Sequence, residues 1–110
     1  MSSFTKPAKA VITSSTAITE IVPAQGGNSF INMYSITMSN TSLTDTFVEI
    51  YDGATLVTPG IAVPSGLGHS INLAKPLRFA QNSALSVKSS ASVASLNVAV
   101  FYDVEPNGNG

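Results

Sequence analysis

The chain predicts an all-β domain, an antiparallel β-sandwich, on three observations. No window holds a sustained 3.6-residue apolar repeat, and the apolar residues fall instead in short β-branched or alternating runs. Between those runs, clusters of Gly, Pro, Asn and Ser return about every ten residues, the rhythm of antiparallel strands joined by tight turns.

Taken in order, the candidate strands begin with Ala10 to Thr13 and Ala17 to Val22, the second ended by Pro23-Ala24-Gln25-Gly26-Gly27-Asn28. The long run Phe30 to Ser39 follows, stopped by Asn40-Thr41-Ser42. Phe47 to Tyr51 and Thr55 to Val57 flank Asp52-Gly53, the strongest hairpin signal, because a tight two-residue turn needs the positive φ that Gly and Asp tolerate. Ile61 to Val63 lies between Pro59-Gly60 and Pro64-Ser65-Gly66. His69 to Leu73 is closed by Lys75-Pro76, read as a turn, and Ala84 to Val87 and Leu96 to Val104 complete the set.

Period-2 alternation assigns faces. In the last strand Leu96, Val98, Val100 and Tyr102 should face the core, against Asn97, Ala99, Phe101 and Asp103. In Phe30 to Ser39 the sets Phe30, Tyr34, Ile36, Met38 and Ile31, Met33, Thr37, Ser39 are both partly apolar. Phe47 and Tyr51 likewise oppose Val48 and Ile50. Apolar residues on two faces suggest that one face meets another subunit.

The surface left over is neutral. Hydrophobic residues make up 44% of the chain and charged ones 10%, where an ordinary soluble domain carries about a quarter charged. The balance is 16 Ser, 10 Thr and 8 Asn, short polar side chains that suit repeated protein contacts. A net charge of -1, with Lys6, Lys9, Lys75, Arg78 and Lys88 scattered, argues against nucleic-acid binding. Met1 to Ala10 has neither a signal-peptide core nor a spanning run, so a cytoplasmic origin and no membrane partner are expected. With no cysteine, stability must come from packing or association.

Catalytic and metal chemistry are weakly represented. His69 is the single histidine, and Gly68-His69-Ser70-Ile71-Asn72 departs from a nucleophile elbow at Asn72, where a Gly should stand. Asp45, Glu49 and Asp52 do not match a calcium loop, and Asp103 with Glu105 reads as surface charge rather than as a glycosidase pair. Neither Gly26-Gly27 nor Gly66-Gly68 has phosphate-loop spacing. Asn40-Thr41-Ser42 satisfies the glycosylation sequon, a pattern common by chance. No enzyme, cofactor or metal is expected.

Ser15 to Val104 resembles the capsid decoration, or cement, proteins of tailed bacteriophages and related jelly-roll head proteins. The stretches that carry the likeness are Thr19-Glu20-Ile21-Val22-Pro23-Ala24, Ile31-Asn32-Met33-Tyr34-Ser35-Ile36, Val48 to Thr55, Ile71 to Arg78 and Asn82 to Val87. The resemblance implies a jelly-roll-like sandwich with an extended N-terminal arm. It also implies a structural role on the outside of a capsid, as a homotrimer bridging major capsid protein subunits in a virion assembled in the host cytoplasm. The alternative from another class is a carbohydrate- or receptor-binding module of a tail or fibre, for which the chain offers no Trp and only strand tyrosines.

The expected organisation is an arm over residues 1–9, a sandwich over 10–105 and a tail over 106–110. Candidate partner-binding residues are Phe4, Lys6 and Lys9 on the arm, with Ile31, Met33 and Phe47 on the doubled strand faces.

Overall fold

The computed structural model describes residues 5–13, 16–58, 60–91 and 96–106. Among these residues nine strands run in the order β1 (Lys6–Ile12), β2 (Thr19–Val22), β3 (Ser29–Asn40), β4 (Thr46–Asp52), β5 (Thr55–Leu56), β6 (Ile61–Val63), β7 (Gly68–Arg78), β8 (Leu85–Ser89) and β9 (Leu96–Pro106). They form two antiparallel sheets, one ordered β1-β9-β3-β7 and the other β2-β8-β4-β5, with β6 also on β4. The pairings β1 with β9, β2 with β8, β3 with β7 and β4 with β6 nest one inside the next. The two sheets pack face to face, and no helix occurs among the described residues.

The core follows from strand alternation. The four-stranded sheet sends in Ile12, Ile31, Met33, Ile36, Met38, Leu96, Val98 and Val100, and the other sheet answers with Ile21, Val22, Val48, Ile50, Val63, Leu85 and Val87. β9 keeps the alternation expected of it: Leu96, Val98 and Val100 are fully buried and Tyr102 packs against the core from its margin.

In β3 the alternation breaks. The register with β9 shifts between Met33 and Ser35, so that Met33 faces Tyr102, Ser35 faces Phe101, and Tyr34 is the extra residue. One inserted residue reverses the parity of everything beyond it. Ile31 and Met33 therefore point to the same side as Ile36 and Met38, although simple counting puts them on opposite sides. The expectation that Ile31 and Met33 form a partner-facing surface is corrected: they are 1% and 2% exposed and belong to the core of the single chain.

Two boundaries also move. Lys6 to Lys9, assigned to the arm, form the first half of β1 in register with Tyr102 to Ala99. β1 is an edge strand, where Pro7 can sit with its missing N–H turned away from the ladder. Residues 1–4, including Phe4, lie outside the described residues. β7, the opposite edge, continues through Lys75-Pro76 rather than turning there. It does so by leaving its register with β3 between Asn72 and Leu77, so Pro76 costs no ladder bond.

The Asp52-Gly53 signal corresponds to the β4–β5 hairpin, in which Asp52 pairs with Thr55 and Gly53-Ala54 form the turn. Gly53 has φ +62°, and an added Cβ would come within 2.9 Å of the Ser83 hydroxyl. Both facts favour glycine at this position. At the C-terminal end β9 reaches Pro106, opposite Ser29, and residues 107–110 of the expected tail lie outside the described residues.

Candidate functional site

The outer face of the four-stranded sheet is open to solvent, and its composition follows from the register. Across the sheet one row reads Pro7, Phe101, Ser35, Asn72, the next Lys9, Ala99, Thr37, Ser70, and the third Val11, Asn97, Ser39, Gly68. These twelve positions include one charge, Lys9, and two large exposed apolar side chains, Val11 and Phe101, at 54% and 47% exposure. A shallow groove of about 420 Å³ runs over Lys9, Val11, Thr37, Ser39, Asn97 and Ala99. Thr37 and Ser70 share a hydroxyl hydrogen bond of 3.1 Å across the strands, so the two hydroxyls in the middle of the face partner each other.

Beyond the β3 bulge the same outer face is closed by a polar network. The Asn32 side-chain amide donates to Asp103 Oδ1 and Glu105 Oε1, both at 3.0 Å, and the Tyr34 hydroxyl donates to Asp103 Oδ2 at 2.8 Å. Arg78 pairs with Glu105 and stacks 4.8 Å from the centroid of the Phe30 ring. Asp103 is 7% exposed, buried because these partners cover it. The hydrogen bond to Asp103, with smaller contributions from burial and the nearby carboxylates, raises the Tyr34 pKa above its ordinary value. The Asn32 and Arg78 hydrogen bonds hold the Glu105 carboxyl below its ordinary value. Asp103 and Glu105 thus act as structural acceptors, tied to Asn32 and Arg78 across three strands.

The other sheet has its own outward cluster. Phe47 is 50% exposed, and further along β4 the Tyr51 hydroxyl donates to Glu49 at 3.2 Å. Lys88 lies 3.9 Å from Glu49 and 5.8 Å from the Tyr51 ring centroid. The structure therefore separates the candidate partner residues: Lys6 and Lys9 are exposed on one sheet and Phe47 on the other. It does not bring them into one site.

The remaining reactive residues are dispersed. The His69 ring Nδ1 lies 3.3 Å from the Ala62 carbonyl, bridging β7 and β6 at the edge of the sandwich. Asp45 accepts from the Ser65 amide, Glu49 faces Lys88, and Asp52 accepts from the Ala80 amide. Among the described residues no three His, Cys, Asp or Glu side chains converge on a metal position. Asn40, the sequon asparagine, is fully buried and donates its amide to the Thr44 and Val63 carbonyls at 2.8 and 2.9 Å. It cannot accept a glycan without the loop opening.

Sequence reasoning missed Asn32, Tyr34 and Arg78. The signal was present in the alternation, which sets Asp103 opposite the core-facing residues, but their partnership depends on pairings far apart in sequence. Comparison of the chain with protein-family models and with curated proteins gives no match.

Proposed function

We propose that the chain is a structural, non-catalytic virion protein that binds the outside of a phage capsid and bridges coat subunits. The nested pairing of the first strand with the last, the second with the eighth and so inward supports a jelly-roll topology, an architecture used by viral capsid proteins and also by lectins and cupins. Because that architecture serves several functions, the surface must carry the argument. The observation that carries it is the open outer face of the four-stranded sheet, twelve positions with a single charge. Such a face loses little on desolvation and offers backbone-like hydroxyl partners, as a repeated protein contact requires. Trimers at local three-fold positions would present three such faces to the coat lattice.

The test is co-sedimentation with undecorated capsids. The wild-type chain is expected to pellet at a fixed ratio to coat protein. Thr37→Glu, which puts one carboxylate in the middle of the face, is expected to abolish pelleting while leaving the melting temperature near that of wild type. Failure of the wild-type chain to pellet sinks the reading, and selective capture on a glycan array would favour a carbohydrate-binding module instead.

A further inference from the structure

Leu43 is 99% exposed and Leu67, on the neighbouring loop, 58% exposed. Neither loop is loosely held. Ser42 N–H donates to Asn40 Oδ1 at 3.0 Å, Ser65 Oγ donates to the Ser42 carbonyl at 2.7 Å, and Ser65 N–H donates to Asp45 Oδ1 at 2.8 Å. The Asn40 amide N–H meets the Leu67 carbonyl at 2.9 Å, and Gly66 N–H meets the Asn40 carbonyl at 2.8 Å. A leucine held wholly in water on a braced loop loses little further entropy when it enters a pocket, the condition that makes an anchor effective.

The chain also carries a pocket of the right kind. Where β7 leaves β3, a cleft of about 270 Å³ opens between the sheets, with Ile61, Ile71, Leu73 and Leu77 among its walls. An enclosed apolar cavity of about 150 Å³ accepts benzene, so this one admits an isobutyl group with room beside it. Lys75 is the one charged residue in its lining. Asp45 is the one charged residue of the tip formed by residues 40–45 and 64–67. Neither takes part in an ion pair among the described residues. The tip has no Lys or Arg to attract anionic lipid, which favours a protein pocket over a membrane surface.

We propose that the Leu43 tip of one copy seats in the β7 cleft of a second copy, with Asp45 facing Lys75. Tip and cleft are different patches of one surface, so the contact closes either reciprocally in a two-fold dimer or head to tail in a ring. The proposal is independent of the virion reading, and its site differs from the doubled strand faces that first suggested self-association.

The absence of cysteine makes the test direct. Leu43→Cys and Leu73→Cys proteins, each alone and then mixed, are oxidised and run under denaturing, non-reducing conditions. A crosslinked dimer in the mixture and in neither single variant supports the contact. A crosslink in Leu43→Cys alone, or none in the mixture, overturns it. In parallel, sedimentation velocity of the unmodified chain is expected to show a concentration-dependent closed oligomer. Leu43→Glu should raise its dissociation constant roughly tenfold or more, from the lost burial of one leucine. Because Leu43 is already in water, the melting temperature of dilute Leu43→Glu protein should match wild type. A wild-type chain that stays monomeric at high micromolar concentration, or an oligomer indifferent to Leu43→Glu, overturns the proposal.

Discussion

The outer face of the four-stranded sheet is built differently along its two halves. Around Ala99, Thr37 and Ser70 it is open, carries Lys9 as its one charge, and is crossed at its centre by the Thr37–Ser70 hydroxyl hydrogen bond. Around Asn32, Asp103 and Arg78 it is sealed by a network that buries a carboxylate. The dividing point is Tyr34, the extra residue of β3. A bulge there turns Ile31 and Met33 inward and frees the Tyr34 side chain to reach Asp103 across the strand. One half is thus stabilised from both sides, by core and by network, and the other from the core alone.

The largest effect is expected from testing the inward turn itself. Met33→Ala should destabilise the chain by about 2 to 5 kcal/mol, as truncating a buried methionine does. If Met33 instead served a partner-facing surface, the denaturation midpoint of dilute protein would hardly move. The comparison must be made at several concentrations, since association would mask part of the loss.

Next comes the network. Asp103→Ala leaves the Tyr34 hydroxyl without its acceptor and the Asn32 amide with Glu105 alone, at a cost of about 1 to 3 kcal/mol. Tyr34→Phe should recover part of that loss in the Asp103→Ala background, because it removes one stranded donor. Strict additivity in the double-mutant cycle would mean that the two side chains do not interact.

The sealed half should also respond to pH, through two groups of opposite sign. The Glu105 pKa is lowered on folding, so its contribution is present above the unfolded carboxylate pKa and lost as pH falls through the lower folded value. The Tyr34 pKa is raised, so its contribution is present below the unfolded tyrosine pKa and lost as pH rises through the folded value. Glu105→Gln should flatten the acid limb of the stability profile and Tyr34→Phe the alkaline limb. Profiles unchanged by both substitutions would show that the network is not linked to folding.

The smallest effect belongs to the open half, where Phe101→Ser should change stability by no more than about 0.5 kcal/mol. A markedly larger loss in thermal or denaturant melts would show that the open face is covered in the native protein, and the contrast between the halves would vanish.

Much of the fold was legible because each strand carries its own alternation and each turn its own chemistry. Ile61–Val63 was read to the residue, and Leu96, Val98 and Val100 were assigned to the core from period 2 alone. The misreadings share one cause. Residues 6–9 were read as arm and Lys75-Pro76 as a turn, yet β1 and β7 are edge strands and tolerate Pro7 and Pro76. Ile31 and Met33 looked two-faced because nothing local to β3 announces the inserted residue. Among the candidate partner residues, Lys6, Lys9 and Phe47 are exposed, but their places on opposite sheets could not be known before the pairing was.

By itself, then, the sequence determined the class of structure, the number of strands and the low charge of the surface, since these depend on local periodicity, turn residues and composition. Tertiary structure alone decided which strands are edges, where β3 slips by one residue and which polar side chains meet. It also decided that the sequon asparagine is locked beneath a loop while Leu43 stands outside it. Those outcomes depend on hydrogen bonds between strands as much as 96 residues apart in sequence, such as Lys6 with Tyr102. No local pattern encodes a register between distant strands, because either parity satisfies the backbone until the two sheets close on a common core.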